Sequence, residues 1–521
     1  MQTTLRRALL AVLLLPPAQP QVITWQYDNA RTGANPNETV LTPVNVNANQ
    51  FGKLFSLPVD GDIYAQPLHL PRLEIPGKGI HNVVLVATEH NSVYAFDADG
   101  HLSTPLWQVS FINPSAGVTT VRARDVSCPF ITPEVGITST PVIDRKTGTL
   151  YVLVRTKERT GFLHDEYVQR LHALAVTTGA EKFGGPVVIR ASVNGRGAGS
   201  SGGLINFNPI IENPRAALLL VNGIVYLTWG SSCDVGPYHG WVMAYDAHTL
   251  AQVAVFNTSP DAQESGIWQS DAGPAADEEG NVFMATGNGK FDAASNGRDY
   301  GDSVLKLHLK QGRFLLRDYF TPFNQNELNA NDDDLGSGGP VLLPDHLLLV
   351  AGKGATIYVI DRERMGKYQP QKDIHAVQTL QAAGTGAFGA PAYWNRHVYF
   401  QCSQDVLKDF AVENGQLSRT PVARGAVRFI DPGATPGVSA NGMKNGIVWV
   451  LESKGWRSPD RPAVLHAFEA ANVARELYNS EQNSSRDRAG MALRFAVPTV
   501  VNGRVYVGAK REVDVYGLLA P

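Results

Sequence analysis

Short runs in which apolar residues alternate with small or polar ones, each closing on a polar turn, recur along the chain. Four copies are clear: Val93-Tyr-Ala-Phe-Asp97, Leu171-His-Ala-Leu-Ala175, Val242-Met-Ala-Tyr-Asp246 and Ile357-Tyr-Val-Ile-Asp361. Four weaker ones follow the same period: Val304-Leu-Lys-Leu307, Leu407-Lys-Asp-Phe410, Leu465-His-Ala-Phe468 and Val513-Asp-Val-Tyr516. Aligned from Tyr94 to Asp514 they recur about every 60 residues, a spacing that reads as one strand per repeated blade.

A second strand precedes each copy, and before that there is often a Pro-Val or Pro-Thr start. Examples are Thr140-Pro-Val-Ile-Asp144 with Leu150-Tyr-Val-Leu-Val154, and the run from Val497 to Val507 with its Asn502-Gly turn. Each unit thus predicts four strands, A to D, with Leu106–Phe111 as a clear strand D, and helical periodicity is nearly absent. The last repeat has no strand D of its own, whereas Phe51–Val59 is a strand without a partner. The expected fold is therefore an all-β, eight-bladed propeller of four-stranded antiparallel blades. Its ring is closed by the N-terminal strand, because an open sheet edge is costly.

Composition sharpens this picture. Gly (50) and Pro (32) are abundant and only 18% of the 521 residues are charged, which suits many short strands and turns and excludes disorder and coiled coil. A net charge of −3 offers no basic field for nucleic acid. Residues 1–21 read as an export signal, with Arg6 and Arg7 ahead of the apolar run Ala8–Leu15. That run is too short to span a bilayer, and no other segment is a candidate span. The implied organisation is a signal at 1–21, a lead-in at 22–50 and the propeller at 51–521, in a secreted or periplasmic protein. Of three cysteines, Cys128 and Cys233 fall in loops of neighbouring blades and can form one bridge, which would leave Cys402 free; the separation that decides it is not readable from sequence.

The A–B and C–D turns are brief, while the long segments 112–137, 190–212, 230–240, 287–303 and 322–337 are all D–A or B–C connections and so share one face. That elaborated face is the expected binding surface. Gly352-Lys-Gly-Ala-Thr-Ile-Tyr-Val-Ile-Asp-Arg362 and Ala285-Thr-Gly-Asn-Gly289 lie on it, as do Asp332-Asp-Asp334, Gly266-Ile-Trp-Gln269 and Cys233-Asp-Val-Gly236. With the eight-fold repeat, these stretches resemble the quinoprotein (pyrroloquinoline quinone, PQQ) alcohol dehydrogenase-like propellers over the chain from about residue 51. The resemblance implies PQQ and calcium as cofactors. It implies Lys353 against the quinone, Trp268 stacked on it, Asn288 and, one residue out of register, Asp234 as calcium ligands, and an aspartate of 332–334, Asp332 or Asp334, as the catalytic base. An ortho-quinone that takes a hydride needs these types: a flat apolar support, a hard cation with oxygen ligands, and a carboxylate to remove the alcohol proton.

The chain departs from the family in lacking the adjacent cysteine pair, and no Cys-x-x-Cys-His haem motif occurs, so an enzyme of this kind needs a separate electron acceptor. Its partner would be a small-molecule alcohol or sugar. The alternative is a non-catalytic scaffold that presents its face or its blade edges to an envelope protein or polysaccharide. Glu134 and His239 share the face and read as locally bonded loop residues.

Overall fold

The computed structural model describes residues 20–520 apart from 163, 271, 382–383 and 459; the basic and apolar parts of the export signal lie outside the described residues. Eight small antiparallel sheets follow one another along the chain. The first is built from Leu68–Ile75, Gly79–Ala87, Ser92–Asp97 and Trp107–Ser110, hydrogen-bonded in that order. Blades 2 to 7 span 142–188, 219–257, 275–321, 341–381, 392–429 and 437–479, and each repeats the A-B-C-D order. No helix among the described residues is long and apolar enough to cross a membrane.

Burial explains the repeated motif. All six residues of Ser92–Asp97 are buried, because the third strand of a blade is covered on both faces by neighbouring blades, whereas Trp107–Ser110 alternates half-buried and exposed at the rim. The aspartate that ends the motif caps the C–D turn: Asp97 Oδ1 accepts from Asp99 N at 2.9 Å and His101 N at 3.3 Å, Asp246 Oδ1 from His248 N and Thr249 N, and Asp361 Oδ1 from Glu363 N. Its short carboxylate mimics a backbone acceptor two residues back, which is why aspartate recurs there.

Blade 8 consists of Thr499–Val501, Arg504–Ala509 and Glu512–Leu518, and its outer strand is Phe51–Pro58, antiparallel to Glu512–Leu518. The ring closes as expected. Phe51 is fully buried, with its ring centroid 4.9 Å from Tyr478 and 5.5 Å from Trp449 in blade 7, so the closing strand also locks the last two blades together.

The lead-in does something its sequence does not announce: residues 22–35 circle the axis and bond to the innermost strand region of every blade in turn. Val22 exchanges backbone bonds with His69, and Ile23 O accepts from Ile143 N. Asn29 meets blades 3 and 4, through Leu220 O at 2.9 Å and Ala276 N at 2.7 Å. Ala30 O, Thr32 O and Gly33 O then accept from Leu342 N, Tyr393 N and Val438 N at 2.7 to 2.8 Å, and Asn35 Nδ2 donates to Val500 O at 2.9 Å. At the centre Arg31, fully buried, donates to Thr24 Oγ1, Trp25 O, Pro274 O and Leu218 O at 2.7 to 3.1 Å. Inner strands that would otherwise face a central channel thus have their backbone groups satisfied by a plug.

Candidate functional site

Above the plug, on the long-loop face, the axis opens into a cavity of about 120 Å³. Its wall is assembled from loops that precede inner strands and from B–C loops of six blades, and it includes Trp268, Asp234, Asp334, Lys353, Arg215 and Arg494 together with the Cys128–Cys233 disulfide. Arg215, Ser270 and Phe495 also line a smaller void of about 20 Å³, and Trp25 of the plug is one of its walls. The cavity therefore ends blindly on the lead-in.

Trp268 forms one wall. Its Nε1 donates to Ser231 O at 3.2 Å, and Tyr238 meets it edge-on at 5.4 Å and 78°. The indole lies so close to the backbone that a Cβ on Gly230 would stand 3.0 Å from the ring, which is why the strand Ile224–Ser231 carries glycine there. Gly287 is under the same constraint from two sides: a Cβ would meet Asp334 Oδ1 at 2.2 Å and Trp268 Cζ3 at 2.7 Å.

Asn288, Asp332, Asp334 and Lys353 come together. Asn288 N donates to Asp334 Oδ1 and Asn288 Nδ2 to Asp332 Oδ1, both at 2.7 Å. Lys353 Nζ stands 2.5 Å from Asp334 Oδ2 and 2.9 Å from Asp332 Oδ1, and its backbone N donates to Asp334 O. The two aspartates differ in setting: Asp334 is buried on the cavity wall, while the side chain of Asp332 is 67% exposed. Burial raises the Asp334 carboxyl above its ordinary value, and the Lys353 ammonium offsets part of that rise. Burial opposes the charge of Lys353, but Asp334 and Asp332 outweigh it and hold the ammonium above its ordinary range. Behind them Asp302 accepts from Leu335 N at 3.1 Å and Gln325 Nε2 at 3.3 Å, and its near-complete burial favours the protonated acid.

Asp234 stands exposed on the cavity rim, its Oδ1 accepting from Tyr238 OH at 3.2 Å. The oxygen donors suit a hard cation in one respect: Asn288 Oδ1 is buried without a hydrogen-bond partner, beside the Asp334 carboxylate. Among the described residues three carboxylate or imidazole ligand atoms gather only at Asp97, Asp99 and His101, in the C–D turn of blade 1, where turn capping already accounts for Asp97. Asn288 does not itself line the cavity, and both Asp334 oxygens are engaged, Oδ1 by Asn288 N and Oδ2 by Lys353 Nζ, so the oxygens left for a cation are Asn288 Oδ1 behind the wall and Asp234 at the rim.

The cysteine pair left open by the sequence is joined, with Cα atoms 5.4 Å apart, and Cys402 is a buried free thiol. Several residues of these loops take a left-handed backbone: Cys233, Asp234, Gln269, Asp332 and Phe495 all lie at φ between 39 and 68°. Glu134 is tied to His90 and Thr120, and His239 to Ser259 and Ala198; neither lines the cavity. Sequence reasoning missed Arg215 and Arg494, which precede the inner strands of blades 3 and 8 by four and five residues; a cation recurring at that position was the available signal.

No family model matches the chain, and no curated protein matches it. Solved structures do. The quinohemoprotein alcohol dehydrogenase ADHIIG from Pseudomonas putida HK5 aligns at a TM-score of 0.62 and 15% identity, over 96% of this chain and 81% of that one. The quinohemoprotein alcohol dehydrogenase from Comamonas testosteroni aligns at 0.57 and 15%, over 96% and 80%. A europium-containing methanol dehydrogenase aligns at 0.58 and 12%, over 96% and 98%. The chain has the eight-bladed propeller fold of these alcohol dehydrogenases.

Proposed function

We propose that the chain is an exported, PQQ-dependent oxidoreductase that oxidises an alcohol or sugar and passes the electrons to a separate acceptor. The observation that carries this reading is the Asp334–Lys353 pair on the wall of a cavity that Trp268 also lines, with the unpartnered Asn288 Oδ1 adjoining that pair from behind the wall. A non-catalytic scaffold has no use for that arrangement. Calcium would be held by Asn288 Oδ1, with Asp234 at the cavity rim, which leaves Asp334 for proton transfer. When bound, an ortho-quinone with its cation accepts the equivalent of a hydride from a carbinol carbon.

The residues divide the remaining work. Trp268 offers a flat apolar face for a ring, and its bond to Ser231 O fixes the tilt of that face. Asp334 is placed to take the hydroxyl proton, since burial makes its carboxylate a stronger base than a solvated one. Lys353 holds the aspartate in its cavity-facing position and supplies positive charge beside it. The export signal read in residues 1–21 and the Cys128–Cys233 bridge both suit an oxidising compartment.

The test is a titration of the mature protein with PQQ and calcium, followed by cofactor absorbance and thermal shift. Saturable, calcium-dependent binding is expected, with native-state stabilisation of about 2.7 kcal/mol at a hundred-fold excess over Kd. Asn288→Ala should remove the calcium dependence without unfolding the protein. Absence of saturable binding to wild type overturns the reading.

A further inference from the structure

The blade 8 side of the cavity carries a feature that the quinone reading does not use. Arg494 is enclosed by four aromatic rings: its guanidinium carbon lies 4.5 Å from the centroid of Phe495, 4.8 Å from Trp456, 4.9 Å from Phe130 and 5.8 Å from Phe388. Rings cover the faces of a guanidinium but leave its five in-plane N–H donors unanswered. Nε is buried and has no hydrogen-bond partner, and among the described residues Arg494 joins no ion pair. Two further arginines stand close. Arg215 stacks on Phe495 at 4.7 Å and donates to Ser270 O, and Arg457 stacks on Trp456 at 4.6 Å. The nearby carboxylate, Asp431, is engaged by Arg457 at 3.8 Å. Loss of solvent and the neighbouring arginines push the Arg494 guanidinium down to about 10, which marks it as a cation short of counter-charge. Phe495 holds a left-handed backbone at φ 68°, a strained conformation for so large a residue, and it orders both Arg494 and its own ring toward the cavity.

We propose that Arg494 is the anchor of an organic carboxylate bound in the central cavity, with Phe388 and Phe130 packing against the planar body that carries it. A guanidinium pre-ordered on aromatic faces meets a carboxylate through two parallel N–H···O bonds, a geometry that lysine cannot reproduce. The anionic group belongs either to a carboxylated cofactor or to an acidic substrate, and the two sources separate in the test. The site stands on its own observations, and its first assay runs without any quinone.

The probes are benzoate and its neutral isostere benzamide, titrated calorimetrically into wild type, Arg494→Gln and Arg494→Lys. Wild type should bind benzoate at least 10-fold more tightly than benzamide. Arg494→Gln should weaken benzoate about 10- to 100-fold, the worth of one charge-assisted pair, with Arg494→Lys in between. Benzamide binding as tightly as benzoate, or Arg494→Gln leaving benzoate unchanged while its circular dichroism matches wild type, overturns the proposal. Should the glutamine variant fail to fold, the lysine variant decides alone, and full retention of affinity there overturns it. Repeating the titration with PQQ and calcium present assigns the source. Benzoate still bound through Arg494 makes the anion the substrate's. Benzoate excluded, with PQQ itself weakened by Arg494→Gln, makes it the cofactor's.

Discussion

Replacing both Cys128 and Cys233 by serine opens a loop of 105 residues that includes the whole of blade 2 and the first two strands of blade 3. In the chain-entropy account a cross-link over that length removes roughly 4 to 5 kcal/mol of unfolded-state freedom at 25 °C. The folded loops keep other ties: Cys128 N donates to Ala123 O at 3.2 Å, Val235 N to Ser232 O at 3.2 Å, and Tyr238 OH to Asp234 Oδ1. The loss should therefore fall on the unfolded chain rather than on the cavity wall. For a ring of about 500 residues unfolding as a unit, the entropy of unfolding is roughly 1 kcal/mol per kelvin, so the double variant should melt about 4 to 5 °C lower. Calorimetry reads that shift, and native-state amide exchange over 123–135 and 231–240 should change little. An unaltered melting temperature together with fast exchange in those loops would refute the reasoning, because the bridge would then be acting on the native wall.

Three further outcomes follow from the same geometry. Gly287→Ala places a methyl 2.2 Å from Asp334 Oδ1, so it should break the Asn288–Asp334 bond and weaken PQQ binding at least about 10-fold in an absorbance titration, while destabilising the fold by roughly 1 to 3 kcal/mol. Glu89 is buried, and its carboxyl is pushed up to about 7 by loss of solvent, against the opposing bond from Gly136 N. Since the folded state holds that proton more tightly than the unfolded chain, stability is lost as pH rises from about 4.5 to 7, by roughly 3 kcal/mol. Glu89→Gln should flatten that slope when melting temperatures at pH 5 and 8 are compared, and parallel curves for variant and wild type would count against it. Arg31→Met removes the donor to four acceptors at the centre of the plug and should cost about 3 to 5 kcal/mol, read as a lower melting temperature and faster proteolysis within residues 20–40.

What the sequence revealed and what it hid divide along one physical line. The third strand of each blade is covered on both faces and ends in a turn capped by aspartate, so its pattern recurs in the residues themselves, and so does the unpaired run at 51–59 that closes the ring. Trp268, Asn288, Asp334 and Lys353 sit next to strands of that repeat, which made their common face legible too. The plug was not legible, because residues 22–35 are held by backbone bonds to the inner strands of six blades and reach the other two through the Asn29 and Asn35 amides, and a backbone bond leaves no mark on side-chain identity. Nor was the Arg494 cage, whose rings Phe130 and Phe388 arrive from loops more than 100 residues away in the chain. The hairpin Thr149–Gly161 with His164–Ala175 also runs well beyond the apolar core Leu150–Val154. Its outer half is polar, and there Thr156–Glu158 pair with a further strand, Val118–Arg122, so the extension rests on the backbone ladder more than on an apolar core.

The plug also constrains how any ligand reaches the site. Trp25 and the lead-in lie beneath Arg215 and Phe495, while on the long-loop face Phe130 lines the cavity and stacks edge-on with Trp456, which carries Arg457. Arg494 and Arg215 line the same cavity as the Asp334–Lys353 pair, Arg215 at the end that rests on the lead-in. If the proposed carboxylate binds at Arg494, the positive charge of these loops favours its capture. The chain as a whole carries a net charge of −3, so this local concentration of arginine is an arrangement of the loops and not a by-product of composition. Each group belongs to a loop between strands rather than to a blade interior, so the arginines and the Asp334–Lys353 pair can vary independently while the eight blades and the plug stay fixed.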